Sequence, residues 1–184
     1  MPTHRNGPVS SNVRRLKLPQ MTRILLEHVS HAHQLVGRLT FQQKEQLVDD
    51  IFKGQPNLLA SVLALSIQKV PYERIESVLD ILFMTFEAVR FAGLKLPVVS
   101  EDIQEMCLKR LVGKSEFVEG LSVPLMEQAI EYQIDVHTEK YLLALVFNEL
   151  REHDFLAVRT DVEKVCVLVS LNLVETIAHV AKDA

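Results

Sequence analysis

The sequence predicts an all-α protein, a single-domain irregular bundle of about eight helices. Three observations carry this. After Pro19, apolar residues recur at intervals of three and four along most of the chain, the spacing of one helix face. Gly and Pro number only 6 and 7 among 184 residues, so long elements run uninterrupted. The strict alternation of a half-buried strand is scarce. A short α-solenoid of helical hairpins is the alternative, because Gly54 and Gly93, and Pro56 and Pro97, recur near the period of such repeats. The residues between them do not align as copies.

Residues 1–19 hold Pro2, Gly7, Pro8, Pro19 and a run of small polar residues. They read as a mobile basic arm ahead of a helical domain over residues 20–184. The first helix carries the stripe Met21, Leu25, His28, Ala32, Leu35 and Leu39, with Ile24 and Val36 widening it. Thr40 and Gln43 form a capping box, in which each side chain reaches a backbone N–H of the other's residue. Leu47, Val48, Ile51 and Phe52 then face inward, and Gly54 takes the left-handed C′ position. Pro56 opens a third helix with Leu58, Leu59, Val62, Leu63 and Ile67 inward. The helix after Pro71 is apolar on most sides from Ile75 to Phe91 and so belongs at the centre of the bundle. Gly93 closes it, and residues 94–99 form a connector. Ser100 caps a fifth helix ending at Gly113, with Glu101 and Asp102 favoured by the dipole of its first turn. A turn of helix from Ser115 to Gly120 follows. The next helix runs from Ser122 to about Gln133, and another opens at Asp135 or Thr138. Thr160 and Glu163 cap the last helix, where the β-rich run 165–169 competes with a helical pattern and loses to the cap in front of it.

Charge and motif content exclude several functions. Residues 1–26 carry five bases and no acid, which leaves 15 bases against 24 acids in the rest, a net −9. Such a body argues against a nucleic-acid surface, which needs a basic face to displace counterions. The longest charge-free run, residues 54–68, is too short and too polar to cross a bilayer. Cys107 and Cys166 stand alone within apolar patterns and read as small buried hydrophobes, consistent with the reducing cytoplasm. Neither a P-loop nor a GxGxxG or GxSxG motif is present.

One segment has ligand-like chemistry. Residues 27–33 place Glu27, His28 and His31 within one helical turn, where a carboxylate and imidazoles suit zinc, nickel or iron. A metal site needs three or four convergent ligands, and the sequence supplies only these. His28 stands where Leu or Met belongs in the stripe, which predicts a buried ring. The last helix adds a second apolar row, Val167, Leu171 and Val174. A helix apolar on nearly all sides is buried on all sides, by its own bundle or by a partner.

These observations predict a non-catalytic protein–protein interaction or regulatory module, homo-oligomeric and cytoplasmic, with no cofactor. Val167, Leu171 and Val174 are its candidate oligomer face. Arg14, Arg15 and Lys17 of the arm are candidates for an acidic partner. The alternative is a helical protein that binds metal or a small molecule through Glu27, His28 and His31.

Overall fold

The computed structural model describes residues 22–115 and 123–181. Arg14, Arg15, Lys17 and the turn expected at 115–120 lie outside these residues or at their edge. Eight α-helices follow one another: α1 Leu26–Val36, α2 Phe41–Gly54, α3 Pro56–Leu63, α4 Tyr72–Phe91, α5 Glu101–Ser115, α6 Val123–Val136, α7 Lys140–Glu152 and α8 Asp161–Val180. A single 3-10 turn, Ala64–Ser66, follows α3. No strand occurs among the described residues.

The packing is that of a bundle. In a solenoid each repeat touches only its neighbours. Here α1 lies against α4 and also reaches α7, α3 reaches α8, and α5 packs along α8. The two 20-residue helices α4 and α8 pack on each other as the spine. α4 buries residues on every side, from Ile75 to Val89, as its all-round apolar sequence requires. α8 is a helix through the β-rich run, with Thr160 Oγ1 accepting from Glu163 N–H at 3.2 Å. Once capped, its Val-rich stretch gains more from packing on α4, α5 and α7 than β propensity withholds. Among the described residues, no helix is long and apolar enough to cross a membrane.

Local signals set several boundaries. The Thr40–Gln43 capping box is complete, with Thr40 N–H donating to Gln43 Oε1 at 2.8 Å. Pro56 occupies the first turn of α3. Gly93 ends α4 at φ +66°, a conformation open to glycine without strain. Ser100 Oγ accepts from Ile103 N–H at 3.3 Å. The connector 94–99 is clamped by buried Gln55, whose amide donates to the Leu96 and Pro97 carbonyls and accepts from Val99 N–H, each at 3.0 Å.

Several expectations need correction. The core stripe of α1 is Val29, Ala32 and Val36, extended by Ile24 ahead of the helix. Leu25 is exposed and His28 is only partly covered, because the helix begins at Leu26 and its inner face is rotated by one residue. Gly54 remains helical, and α2 passes directly into Gln55 with no left-handed residue. Phe52 and Leu63 point outward, and Ile67 is 82% exposed. The 3-10 turn after Leu63 changes the helical phase, so Leu65 enters the core in place of Ile67. Finally, α5 continues through Gly113 to Ser115, and α7 starts at Lys140, with Glu139 as its N-cap in place of Asp135 or Thr138.

Candidate binding groove

Among the described residues, a concavity lies between α5, α6 and α8. It is a groove of about 800 Å³ with Leu111, Ile130 and Phe147 among its lining, and Val167, Leu168 and Leu171 of α8 along one wall. Met126 and Ala129 of α6 form the opposite wall. A second hollow of about 640 Å³ adjoins it, sharing Leu111, Ala129, Gln133 and Leu171 and continuing towards His179. The size, and a mostly apolar lining with a few polar groups, are those of a ligand site. The side chains come from helices whose apolar stripes are wider than their own contacts cover. Val167 and Leu168 of α8 remain only half-buried.

One end of the groove is closed by residues 153–160, which join α7 to α8. Arg74 of α4 holds this segment from below. Its guanidinium donates to the His153 carbonyl at 2.6 Å, stands 3.7 Å from the Glu163 carboxylate, and lies over the Phe155 ring at 4.7 Å. Arg159 donates to Asp154 and Glu163, and the backbone N–H of Arg159 meets Glu163 Oε2 at 2.6 Å. That backbone bond, with the guanidinium beside it, holds the Glu163 carboxyl below the usual carboxylate range. So the Glu163 side chain does not return to the Thr160 N–H as a full capping box would; it serves the rim. Two residues of the rim have positive φ, Asp154 at +56° and Val158 at +42°. For β-branched Val158 this is a strained conformation.

The proposed ligands of the histidine segment diverge. His28 Nδ1 accepts from Leu25 N–H at 3.0 Å, so the imidazole works as a helix cap, with its Nε2 3.7 Å from Glu27. The His31 ring stacks on Phe91 with centroids 3.9 Å apart and planes 15° from parallel. His33 turns to α7, where its Nε2 lies 3.3 Å from Glu149 Oε1. Among the described residues, no group of three or more His, Cys, Asp or Glu side chains is arranged to hold a metal ion. Glu149 is buried, and loss of solvation pushes its carboxyl up, with the neighbouring His33 acting in the opposite sense.

The candidate oligomer face on α8 is divided. Val174 is fully buried in its own core and offers nothing to a partner. Leu171 and Val167 line the groove. Both cysteines are buried thiols, and burial pushes that of Cys166 up to about 11. The contributions of Leu111, Met126 and Ala129 to the groove were not visible in sequence. They are ordinary stripe residues of α5 and α6, and only the arrangement of those helices beside α8 brings them to one hollow. Comparison of the chain with protein-family models, with curated proteins and with solved structures finds no match in any of the three.

Proposed function

We propose that this protein is a non-catalytic interaction module whose α5–α6–α8 groove receives the apolar face of a helix from a partner protein. The observation that carries the reading is the groove itself. It presents aliphatic side chains in rows along α6 and α8, the surface that an amphipathic helix covers with residues at i, i+3, i+4 and i+7. An apolar hollow of this size left open to water favours association. Residues 153–160, pinned by Arg74 and Arg159, would set where such a helix stops.

The test is a selection of amphipathic helical peptides from a displayed random library against the full chain, repeated with Leu168→Asp. Leu168 is half-buried on the groove wall, so the substitution places a charge in the groove at modest cost to the core. Peptides that bind the wild type and lose at least about 30-fold in affinity with Leu168→Asp, roughly 2 kcal/mol, support the reading. A selection yielding only peptides indifferent to Leu168→Asp overturns it.

Homo-oligomer formation belongs to the same proposal. Its support is the set of large apolar side chains that stand clear of the core away from the groove, Phe41, Phe52, Ile67 and Tyr72 among them. A second copy is the commonest way for such surface to be covered.

A further inference from the structure

The second hollow of the groove ends where the described chain begins. Its lining includes Thr138, just ahead of α7, and Ala178, near the end of α8. Arg23 joins the same two places, since its Nε donates to Glu139 at 2.7 Å and its guanidinium donates to the Ala178 carbonyl at 3.2 Å. The Thr22 hydroxyl donates to Glu139 at 3.1 Å. Residues 1–21 therefore attach at the rim of the hollow. From Ala178 the α8 wall runs back through Leu171 to Leu168 and Val167. At a rise of 1.5 Å per residue, Leu171 stands about 10 Å from Ala178 along the axis, and Val167 about 16 Å. The sequence ahead of Thr22 matches this wall in chemistry and in length. Leu16 and Leu18 alternate with Arg15 and Lys17, the period that sets leucines on one edge of an extended chain and bases on the other. Pro19 disfavours a helical conformation at Leu18. At about 3.3 Å per residue, Leu18 reaches up to about 13 Å from Thr22 and Leu16 up to about 20 Å. Those spans cover the distances to Leu171 and to Val167.

We infer that residues 13–21 of this chain lie in its own groove, with Leu18 against Leu171 and Leu16 against Val167 and Leu168. The segment runs parallel to α8 and is a tethered competitor for the partner helix. Its role as a competitor rests on the function proposed above, whereas the contact itself does not. The tether is what lets so short a segment bind. A peptide fixed at Thr22 meets the groove at an effective concentration in the mM range, which a free peptide with two leucines would not reach. The contact is apolar. Arg15 and Lys17 turn to water on the open side, so the contact is insensitive to salt, and the backbone groups on that side stay solvated. The two bases also remain accessible to an acidic partner while the leucines are engaged. An arm that fills the groove about 90% of the time weakens the apparent affinity of any other occupant about tenfold.

Photocrosslinking of the full chain tests this, with a benzophenone side chain in place of Leu16. Irradiation should join that position to the α8 wall around Val167–Leu171, identified by peptide mass spectrometry. Mixed isotopically heavy and light chains should give no heavy–light product, because the contact is within one molecule. The yield should be unchanged between about 0.05 and 0.5 M salt, and Leu168→Asp in the same chain should lower it. A second measurement uses the apolar dye 8-anilinonaphthalene-1-sulfonate as the probe of the groove. Leu16→Ser with Leu18→Ser should tighten dye binding about tenfold, whereas Arg15→Ser with Lys17→Ser should leave it unchanged. Absence of the α8 crosslink overturns the inference. So do heavy–light products, which would assign the arm to a second copy, and dye binding indifferent to the two leucines. Both measurements read the arm with no partner peptide present. If they succeed while the peptide selection fails, the partner reading falls alone. If they fail while peptides bind the leucine variant and the wild type equally, the arm falls alone.

Discussion

At the scale of single residues, His28 shows how a side chain can satisfy a sequence pattern and do something else. Its place in the stripe suggests a buried ring, for which Leu would be an equal or better occupant. The ring is 19% exposed and accepts the Leu25 N–H, one of the backbone donors that a helix start leaves without a partner. His28→Leu should therefore destabilise by about 1 kcal/mol at neutral pH with no metal present, and His28→Gln should recover most of the loss. Urea denaturation of the three proteins checks this, and equal stability of the Leu variant would refute the capping role. Glu149 makes the second residue-scale prediction. Its carboxyl is pushed above the ordinary value by burial, so the native state holds that proton more tightly than the unfolded chain does. The stability from this group is present at pH values below the unfolded carboxyl range and is lost as pH rises through the elevated native value. Glu149→Gln should raise the melting temperature at pH 7 and flatten its fall between about pH 4.5 and 7. Melting curves across that window read the effect, and an unchanged slope would mean that the His33 contact offsets the burial.

At the scale of elements, capping motifs were legible because they are local. The Thr40–Gln43 box, the Ser100 cap and the Thr160 cap all operate within four residues, so their chemistry is complete in the sequence. Helix phase was less legible. The inner face of α1 lies one residue away from the expected stripe, and the face of the α3 region changes after Leu63. In both places apolar residues stand on more than one side, and the choice among them depends on which neighbour the helix meets. The α7–α8 connection carries its own prediction. Val158 sits at φ +42° and is 42% exposed, so it is strained and has little packing to lose. Val158→Gly should stabilise the protein by about 0.5–1 kcal/mol, the relief of strain exceeding the added freedom of the unfolded chain. Val158→Ala should give a smaller gain. A loss of stability with glycine, measured by chemical denaturation, would show that the valine side chain packs usefully at the rim.

At the scale of the whole molecule, one residue joins three elements distant in sequence. Glu139, buried just before α7, accepts from the Thr22 hydroxyl at 3.1 Å, from the Arg23 and Ile24 backbone N–H groups at 3.2 and 3.0 Å, and from Arg23 Nε at 2.7 Å. The same arginine donates to the carbonyls of Ala178, at 3.2 Å, and Ala181, at the end of α8. The approach to α1 is thereby tied to the start of α7 and the end of α8. Glu139→Ala strands the Arg23 charge and two backbone donors, and should cost about 3 kcal/mol or more. Glu139→Gln, which still accepts, should cost less. Hydrogen exchange should show α1 amides losing protection first in the alanine variant; uniform loss across the bundle would assign Glu139 a global role instead.

The helical class, the count of about eight helices that the described residues show, the central place of α4 and the caps that start α2, α5 and α8 were all legible in the order of the amino acids. Each of these depends on periodicity or on groups within one turn of one another, and such interactions form wherever the rest of the chain goes. That Glu139 clamps Arg23, that His31 and His33 part towards Phe91 and Glu149, and that Val174 turns inward while Leu171 lines a groove came from the packing of the helices on one another. Those outcomes depend on the angles at which helices cross. The angles follow from how side chains of many sizes fill a common interior, so no segment read alone contains them.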